Sequence, residues 1–281
     1  MMTASAVHTQ SPAPSLKGQV AYALAGNTLY TLCQWGLLIA LTKLGTPTDV
    51  GHYSLALAVA APVFMFSGLQ LRSLLATDAR GDFHFGDYLA LRLASDLFAV
   101  AVVVGVALLG PYDGEAALAV CLVALAKALE AWGDIYQGYT QSRERMDLVG
   151  RALLAKGLLA LLGMVAGLAA TGRLLTGLAG LAAAWALGLV CFDLRYARRL
   201  ARAMAAGSPG GQAGLLKPRW SRANLRALAI LGLPLGLASM LGSLTLNLPR
   251  LVVASHLGME ALGIYSALAY LMVGGQLIGS S

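Results

Sequence analysis

Five polar side chains stand in an otherwise apolar stretch: Lys127, Glu130, Asp134, Gln137 and Gln141, spaced three, four, three and four residues apart. On an α-helix that spacing sets all five on one stripe. A lysine and a glutamate three residues apart can neutralise each other, or can together face a ligand that carries an anion. Glu130 and Asp134, one turn apart, can hold a proton or a sodium ion between them. The alternative for Asp134, and the favoured one, is hydrogen bonding to the Arg143–Arg145 loop. A lipid-facing helix could not carry such a stripe, so the helix over 116–141 must line protein or a water-filled cavity.

Other segments must wrap around it. The chain of 281 residues is 58% hydrophobic and 12% charged, about half the charge of an ordinary soluble domain. Continuously apolar runs of about twenty residues recur along its length, each able to cross a hydrocarbon core of ~30 Å. Alternation of the β-barrel kind is absent. The sequence predicts an all-α polytopic membrane protein of about eight transmembrane helices. The spans fall at about 19–42, 50–71, 88–110, 116–141, 151–170, 174–194, 227–248 and from 259 onward. Pro62 should kink the second span and Pro234 and Pro249 should interrupt the ends of the seventh. Residues 72–87 read as a polar loop. Arg92 and Asp96, one turn apart, read as a local salt bridge. The first span carries Asn27, Tyr30, Thr31 and Gln34 at helical spacing, which suits either helix–helix hydrogen bonding or a cavity wall.

Composition also excludes function classes. The net charge of +7 comes from loops on one side, so it is a topology signal and not a nucleic-acid footprint. Cys33, Cys121 and Cys191 fall inside spans and read as small buried apolar residues. The four histidines are scattered, so no metal site is expected. No G-x-x-x-x-G-K-[ST] loop is present, no nucleophile–base set stands in an aqueous segment, and no cofactor is implied. Residues 1–16 followed by a long apolar run read as a tail and an uncleaved first span.

Orientation follows from the basic residues. With the N-terminus inside, sixteen of the twenty Lys and Arg fall on inner segments, eight of them between Arg195 and Arg226. The positive-inside rule then puts the N-terminus in the cytoplasm. The basic linker can touch anionic lipid headgroups.

A self-similarity divides the chain. Leu44-Gly45 followed by Gly51-His52-Tyr53-Ser54 is echoed by Leu257-Gly258 followed by Gly263-Ile264-Tyr265-Ser266, with Gly51 and Gly263 lying 212 residues apart. Six spans lie between, so a repeat here is parallel, its lobes related by an axis along the membrane normal. The expected organisation is a cytoplasmic tail at 1–18, a six-helix lobe at 19–196, a basic linker at 197–226 and the first two helices of a second lobe at 227–281. Two lobes around an inward polar stripe suit a transporter working by alternating access.

At this point several stretches resemble a known family. They are Gly68-Leu69-Gln70-Leu71-Arg72 with Asp78; Lys127-Ala128-Leu129-Glu130, Asp134-Ile135-Tyr136, Gln141 and Glu144-Arg145-Met146-Asp147; and Asn247-x-Pro249-Arg250, Leu257-Gly258 and the run from Leu262 to Tyr270. Their order and spacing resemble the O-antigen and capsule repeat-unit flippases of the multidrug/oligosaccharidyl-lipid/polysaccharide exporter superfamily. Members carry about twelve to fourteen spans, so the resemblance implies a chain that stops within the second lobe. It implies transfer of an undecaprenyl-pyrophosphate-linked oligosaccharide across the bacterial cytoplasmic membrane. The partners would be that lipid-linked glycan, membrane lipids, and the polysaccharide polymerase and glycosyltransferases of the same synthesis.

Such a cargo needs a cationic, water-filled cavity. Lys127, about 24 Å along the helix from Arg143, and Arg250 are the expected binders of pyrophosphate or sugar acids, with Arg72, Asn247, Asn27 and Gln34 as further contacts. Glu130 and Asp134 are the expected ion-coupling pair. Three other readings stay open: a cation-coupled multidrug exporter of the same superfamily, a membrane sugar transferase, and a truncated inactive product. Interfacial snorkelling is the plain alternative for Arg250, and positive-inside anchoring for Arg72.

Overall fold

A computed structural model describes residues 16–78, 81–206 and 216–279 of the chain. The N-terminal tail and the Gly/Ser/Pro-rich stretch 207–215 lie outside the described residues. Among the described residues the chain is helical throughout, with no strand. The helices are α1 (Leu16–Leu44), α2 (Pro47–Ser67), α3 (Leu71–Thr77), α4 (Phe85–Leu109), α5 (Gly114–Ser142), α6 (Met146–Thr171), α7 (Leu174–Gly188), α8 (Leu194–Ala206) and α9 (Arg222–Gly279). A wider π-type turn, Leu189–Asp193, joins α7 to α8. Among the described residues seven helical stretches are long and apolar enough to cross a membrane. The last of them holds two limbs, because Gly258 (φ 83°) bends α9. This matches the expected polytopic protein of about eight helices.

Helix starts and stops follow local chemistry. Thr46 caps α2 by accepting from the Asp49 amide at 3.2 Å, while Asp49 accepts from the Thr46 amide at 2.8 Å. This capping box, with Pro47 in the first turn, fixes where the second span begins. The Asp113 carboxylate caps α5 by accepting from Ala116 N at 2.8 Å. Gly172 (φ 66°) ends α6 in the left-handed conformation that glycine adopts without penalty.

Three expectations are corrected. The segment after the second span is not simply a loop: Arg72 stands on the short helix α3, which begins after two left-handed residues, Leu69 (φ 48°) and Gln70 (φ 51°). Pro249 does not end the seventh span, since α9 continues through it and bends only at Gly258. Lys156, one of the sixteen basic residues counted on inner segments, does not stand at the membrane face. It lies in α6 and is fully buried.

Small residues let the helices close on one another, as expected where no hydrophobic effect drives association. Gly26 of α1 meets Gly150 of α6 backbone to backbone, and Gly163 of α6 meets Gly180 of α7. Helix α5 is central, packed by α2, α3, α4 and α7. α2 packs most heavily against α9. At that crossing Gly51 sits against the Met259 carbonyl and Gly263 against the Pro47 carbonyl. The two contacts exchange under the 212-residue offset, which is the reciprocity a two-fold axis produces. Ser54 and Ser266, also 212 apart, are both fully buried, with hydroxyls that find no partner among the described residues.

Candidate functional site

The α5 stripe carries three charged or polar stations, each matched by a different neighbouring element. Near the middle of the helix, Lys127 Nζ pairs with Glu130 Oε2 at 2.7 Å. Tyr30 of α1 donates its hydroxyl hydrogen to Glu130 Oε1 at 2.8 Å, and Gln34 Nε2 donates to the Tyr30 hydroxyl at 2.8 Å. The first-span stripe therefore reaches the fourth-span stripe directly. Lys127 and Glu130 both satisfy each other and keep part of their surface open to a cavity.

One turn further on, Asp134 faces Arg72 of α3 at 3.5 Å. The expected bond of Asp134 to the Arg143–Arg145 loop does not form. Arg145 turns instead to Asp147, at 2.9 Å. Glu130 and Asp134 thus have separate cations. An acid pair left alone would repel; here each carboxylate is balanced where it stands. Beyond Arg72, Arg92 reaches Asp96 at 3.0 Å as the spacing predicts, and also donates to the Gly68 carbonyl at 3.2 Å.

The third station is buried. Gln137 donates to Asp193 Oδ1 at 3.0 Å, and Asp193 Oδ2 accepts from Lys156 Nζ at 2.7 Å. Both members of that pair are almost wholly enclosed. Gly133 leaves the room they need: a Cβ there would overlap the Asp193 carboxylate. Asp193 closes the π-type turn, a helix irregularity that often marks functional positions. The Lys156 ammonium also lies over the Trp185 ring, 5.0 Å from its centre. The other side of this network is Tyr30, edge-on to Trp185 at 6.1 Å.

Two open compartments meet at Lys127 and Glu130. The first, about 350 Å³, is lined by Gln34, Trp35, Tyr53, Trp185, Asn247, Arg250 and Tyr270 as well as that pair. The second, about 220 Å³, runs from Ala61 towards the α3 side and is lined by Arg72, Arg92 and Asp134. The larger lies in the range of ligand pockets. Arg250 is directed into it and does not snorkel outward: its guanidinium stacks on the Tyr270 ring at 4.9 Å and donates to Asn247 Oδ1 at 3.3 Å. Trp35 Nε1 donates to the Tyr270 carbonyl at 3.1 Å, tying α1 to the second limb of α9 across the same space.

The structure therefore brings Lys127, Glu130, Gln34, Asn247 and Arg250 to one cavity, with Arg72 and Asp134 in the adjoining one. Asn27 is exposed and lines neither; its carbonyl accepts from Thr31. Sequence reasoning missed Lys156, Asp193 and the aromatic lining. The available signal was two opposite charges at similar depth in two consecutive spans. Of the cysteines, Cys33 is buried, Cys121 half-buried and Cys191 exposed, all as free thiols.

Comparison with known proteins gives a consistent picture. No protein-family model matches the chain. It is 28% identical over 263 residues to the capsular polysaccharide biosynthesis protein CapF of Staphylococcus aureus, covering 92% of this chain and 62% of that protein. The order of the motifs and this match along nearly the whole chain agree. The chain is thus similar along nearly its whole length to a capsular polysaccharide biosynthesis protein.

Solved structures share the fold of this chain. A MOP superfamily transporter from Pyrococcus furiosus superposes with a TM-score of 0.57 at 16% identity, over 92% of this chain and 60% of that one. A multidrug resistance MATE family transporter in an outward-facing conformation gives 0.56 at 17% identity, over 89% and 59%. A MATE structure in a straight conformation gives 0.55 at 18%, over 92% and 61%. The chain spans about three fifths of the length of each of these proteins.

Proposed function

We propose that this chain moves lipid-linked oligosaccharide repeat units across the cytoplasmic membrane by alternating access, in polysaccharide synthesis. The observation that carries the reading is the charge pattern of the larger cavity. Lys127 is balanced by Glu130, whereas Arg250 has no carboxylate partner among the described residues. A cavity with one uncompensated guanidinium favours an anion, such as the pyrophosphate of an undecaprenyl-linked glycan, over a cationic drug. Trp35, Tyr53, Trp185 and Tyr270 offer flat apolar faces for sugar rings, and Gln34 and Asn247 offer hydrogen bonds for hydroxyls.

In this reading Lys127 and Arg250 hold the anionic head, with Arg72 receiving it in the compartment nearer the linker side. Glu130 is the coupling group: a cation or proton that reached it would compete with Lys127 and loosen the Tyr30 contact between α1 and α5. A polymerase and glycosyltransferases act after and before the transfer. The capsule-related name of the Staphylococcus aureus protein supports the polysaccharide context.

The test uses proteoliposomes holding a fluorescent lipid-linked oligosaccharide, with outer-leaflet fluorescence quenched from outside. Arg250→Glu should slow equilibration between the leaflets at least tenfold, the loss expected for one charge-assisted contact of about 1.5–3 kcal/mol. Arg250→Lys should keep part of the activity. A wild-type rate in Arg250→Glu would sink the anion-binding role.

A further inference from the structure

We propose that the outer face of α8 is a docking site for anionic phospholipid headgroups in the leaflet on the linker side of the membrane. The helix reads Leu-Arg-Tyr-Ala-Arg-Arg-Leu-Ala-Arg-Ala-Met-Ala-Ala, with four arginines and no acid. Arg195, Arg198, Arg199 and Arg202 are spaced i, i+3, i+4 and i+7, which is one face. All four are exposed. Among the described residues none pairs with a carboxylate. The opposite face is fixed: Ala197 and Ala201 are buried in the cluster that holds Tyr139 and Leu228. The arginines are thus presented by a helix that is packed down behind them.

Depth selects the ligand. The stretch Leu174–Ala205 has 32 residues, about 48 Å of helix. A hydrocarbon core of ~30 Å takes up about twenty of them, from Leu174 to about Asp193. Arg195, Arg198 and Arg199 then stand at headgroup level, and Arg202 about 10 Å beyond Arg195. The cleft that the four arginines share has Val190 as its remaining wall. Val190 is exposed and lies at acyl-chain depth. A site with guanidinium forks above and an apolar floor below matches a phosphodiester on a diacyl lipid. It does not match a soluble anion, which needs no floor. Basic pockets beside transmembrane helices on this side of a membrane hold such headgroups by the same physics.

The consequence is mechanical. Asp193, one residue before α8, is locked to Lys156 and Gln137. A headgroup bound to α8 therefore pins the end of the α7–α8 helix whose π-type turn touches the α5 stripe.

The experiment is binding of a fluorescent cardiolipin to the purified protein in zwitterionic nanodiscs, with and without Arg195→Gln/Arg198→Gln/Arg199→Gln/Arg202→Gln. At ~1 kcal/mol per basic residue near the surface, the wild type should bind at least 100-fold more tightly than the fourfold variant. The difference should shrink in high salt. The matching arginine-to-lysine variant separates loss of charge from loss of fold and should retain most of the binding. Arg173→Gln, at the opposite membrane face, should bind as wild type. Equal affinity in the fourfold variant would overturn the proposal. So would displacement of cardiolipin by equimolar inorganic pyrophosphate or polyprenyl pyrophosphate, which would assign the arginines to the cargo. Those outcomes leave the Arg250 transport test untouched, so the two proposals fail separately.

Discussion

At the scale of residues, the α5 stripe separates charges that do different work. Lys127–Glu130 opens to the cavity and Lys156–Asp193 does not. Removing one member of an enclosed pair strands the other without water, a loss of about 3–5 kcal/mol, whereas replacing both by apolar groups is often neutral. Lys156→Met alone should therefore lower the apparent melting temperature of the detergent-purified protein sharply. Adding Asp193→Leu should recover most of it. A double variant as unstable as the single would mean that the pair is more than a neutralised charge. Lys127→Glu makes a different prediction: leaflet transfer falls to background while the protein remains in the membrane, because Glu130 and Asp134 are then joined by a third acid. Wild-type transfer in Lys127→Glu would remove it from the site. Glu130→Gln should abolish any dependence of transfer on a proton or sodium gradient, measured in the same vesicles with the gradient imposed. The stripe was legible because five polar residues kept one helical spacing in an apolar run. Lys156 was not, because it lies only five residues after Arg151 and nothing in the local pattern tells a basic residue at a span end from one buried by a distant acid.

At the scale of elements, the crossing of α2 and α9 is where the repeat acquires physical content. Gly51 and Gly263 each leave room for a carbonyl of the other helix, and the two contacts exchange under the repeat. A methyl group at either position forces the helices apart, at the ~1–3 kcal/mol typical of overpacking. Gly51→Ala and Gly263→Ala should each lower the melting temperature. The double variant should lose less than the sum, because the first substitution already separates the pair. Gly105→Ala and Gly242→Ala, with open space around both positions, should cost nothing and gain a little helix propensity. Fully additive losses at 51 and 263 would argue against a shared contact. Helix existence was readable throughout from run length, whereas the caps at Thr46 and Asp113 that set two of the starts are seen only in the structure. Two features escaped that reading. Helix α3 is a seven-residue piece set by its packing on α5, and Pro249 fits within α9 because a proline removes only one donor of a long helix. The bend falls instead at Gly258, whose φ of 83° suits the residue without a Cβ.

At the scale of the whole molecule, everything said about leaflets depends on which face is inside, and α5 can report both faces from one helix. Its 29 residues span about 43 Å, so Glu115 and Arg143, both exposed, emerge on opposite sides. With Arg92 and Lys156 paired inside their spans, the basic residues left on the linker side still number fourteen, against Lys43 and Arg173 across the membrane. From that imbalance we propose, by the positive-inside rule, that the linker side is the cytoplasmic one. In a version with Cys33, Cys121 and Cys191 replaced by alanine, Glu115→Cys should react with a membrane-impermeant maleimide in intact cells. Arg143→Cys should react only after permeabilisation. The reverse result would turn the molecule over. The compartment with Arg72 and Asp134 would then open outward, the arginines of α8 would meet the outer leaflet, and an anionic cargo loaded from the cytoplasm would meet Arg250 before Arg72.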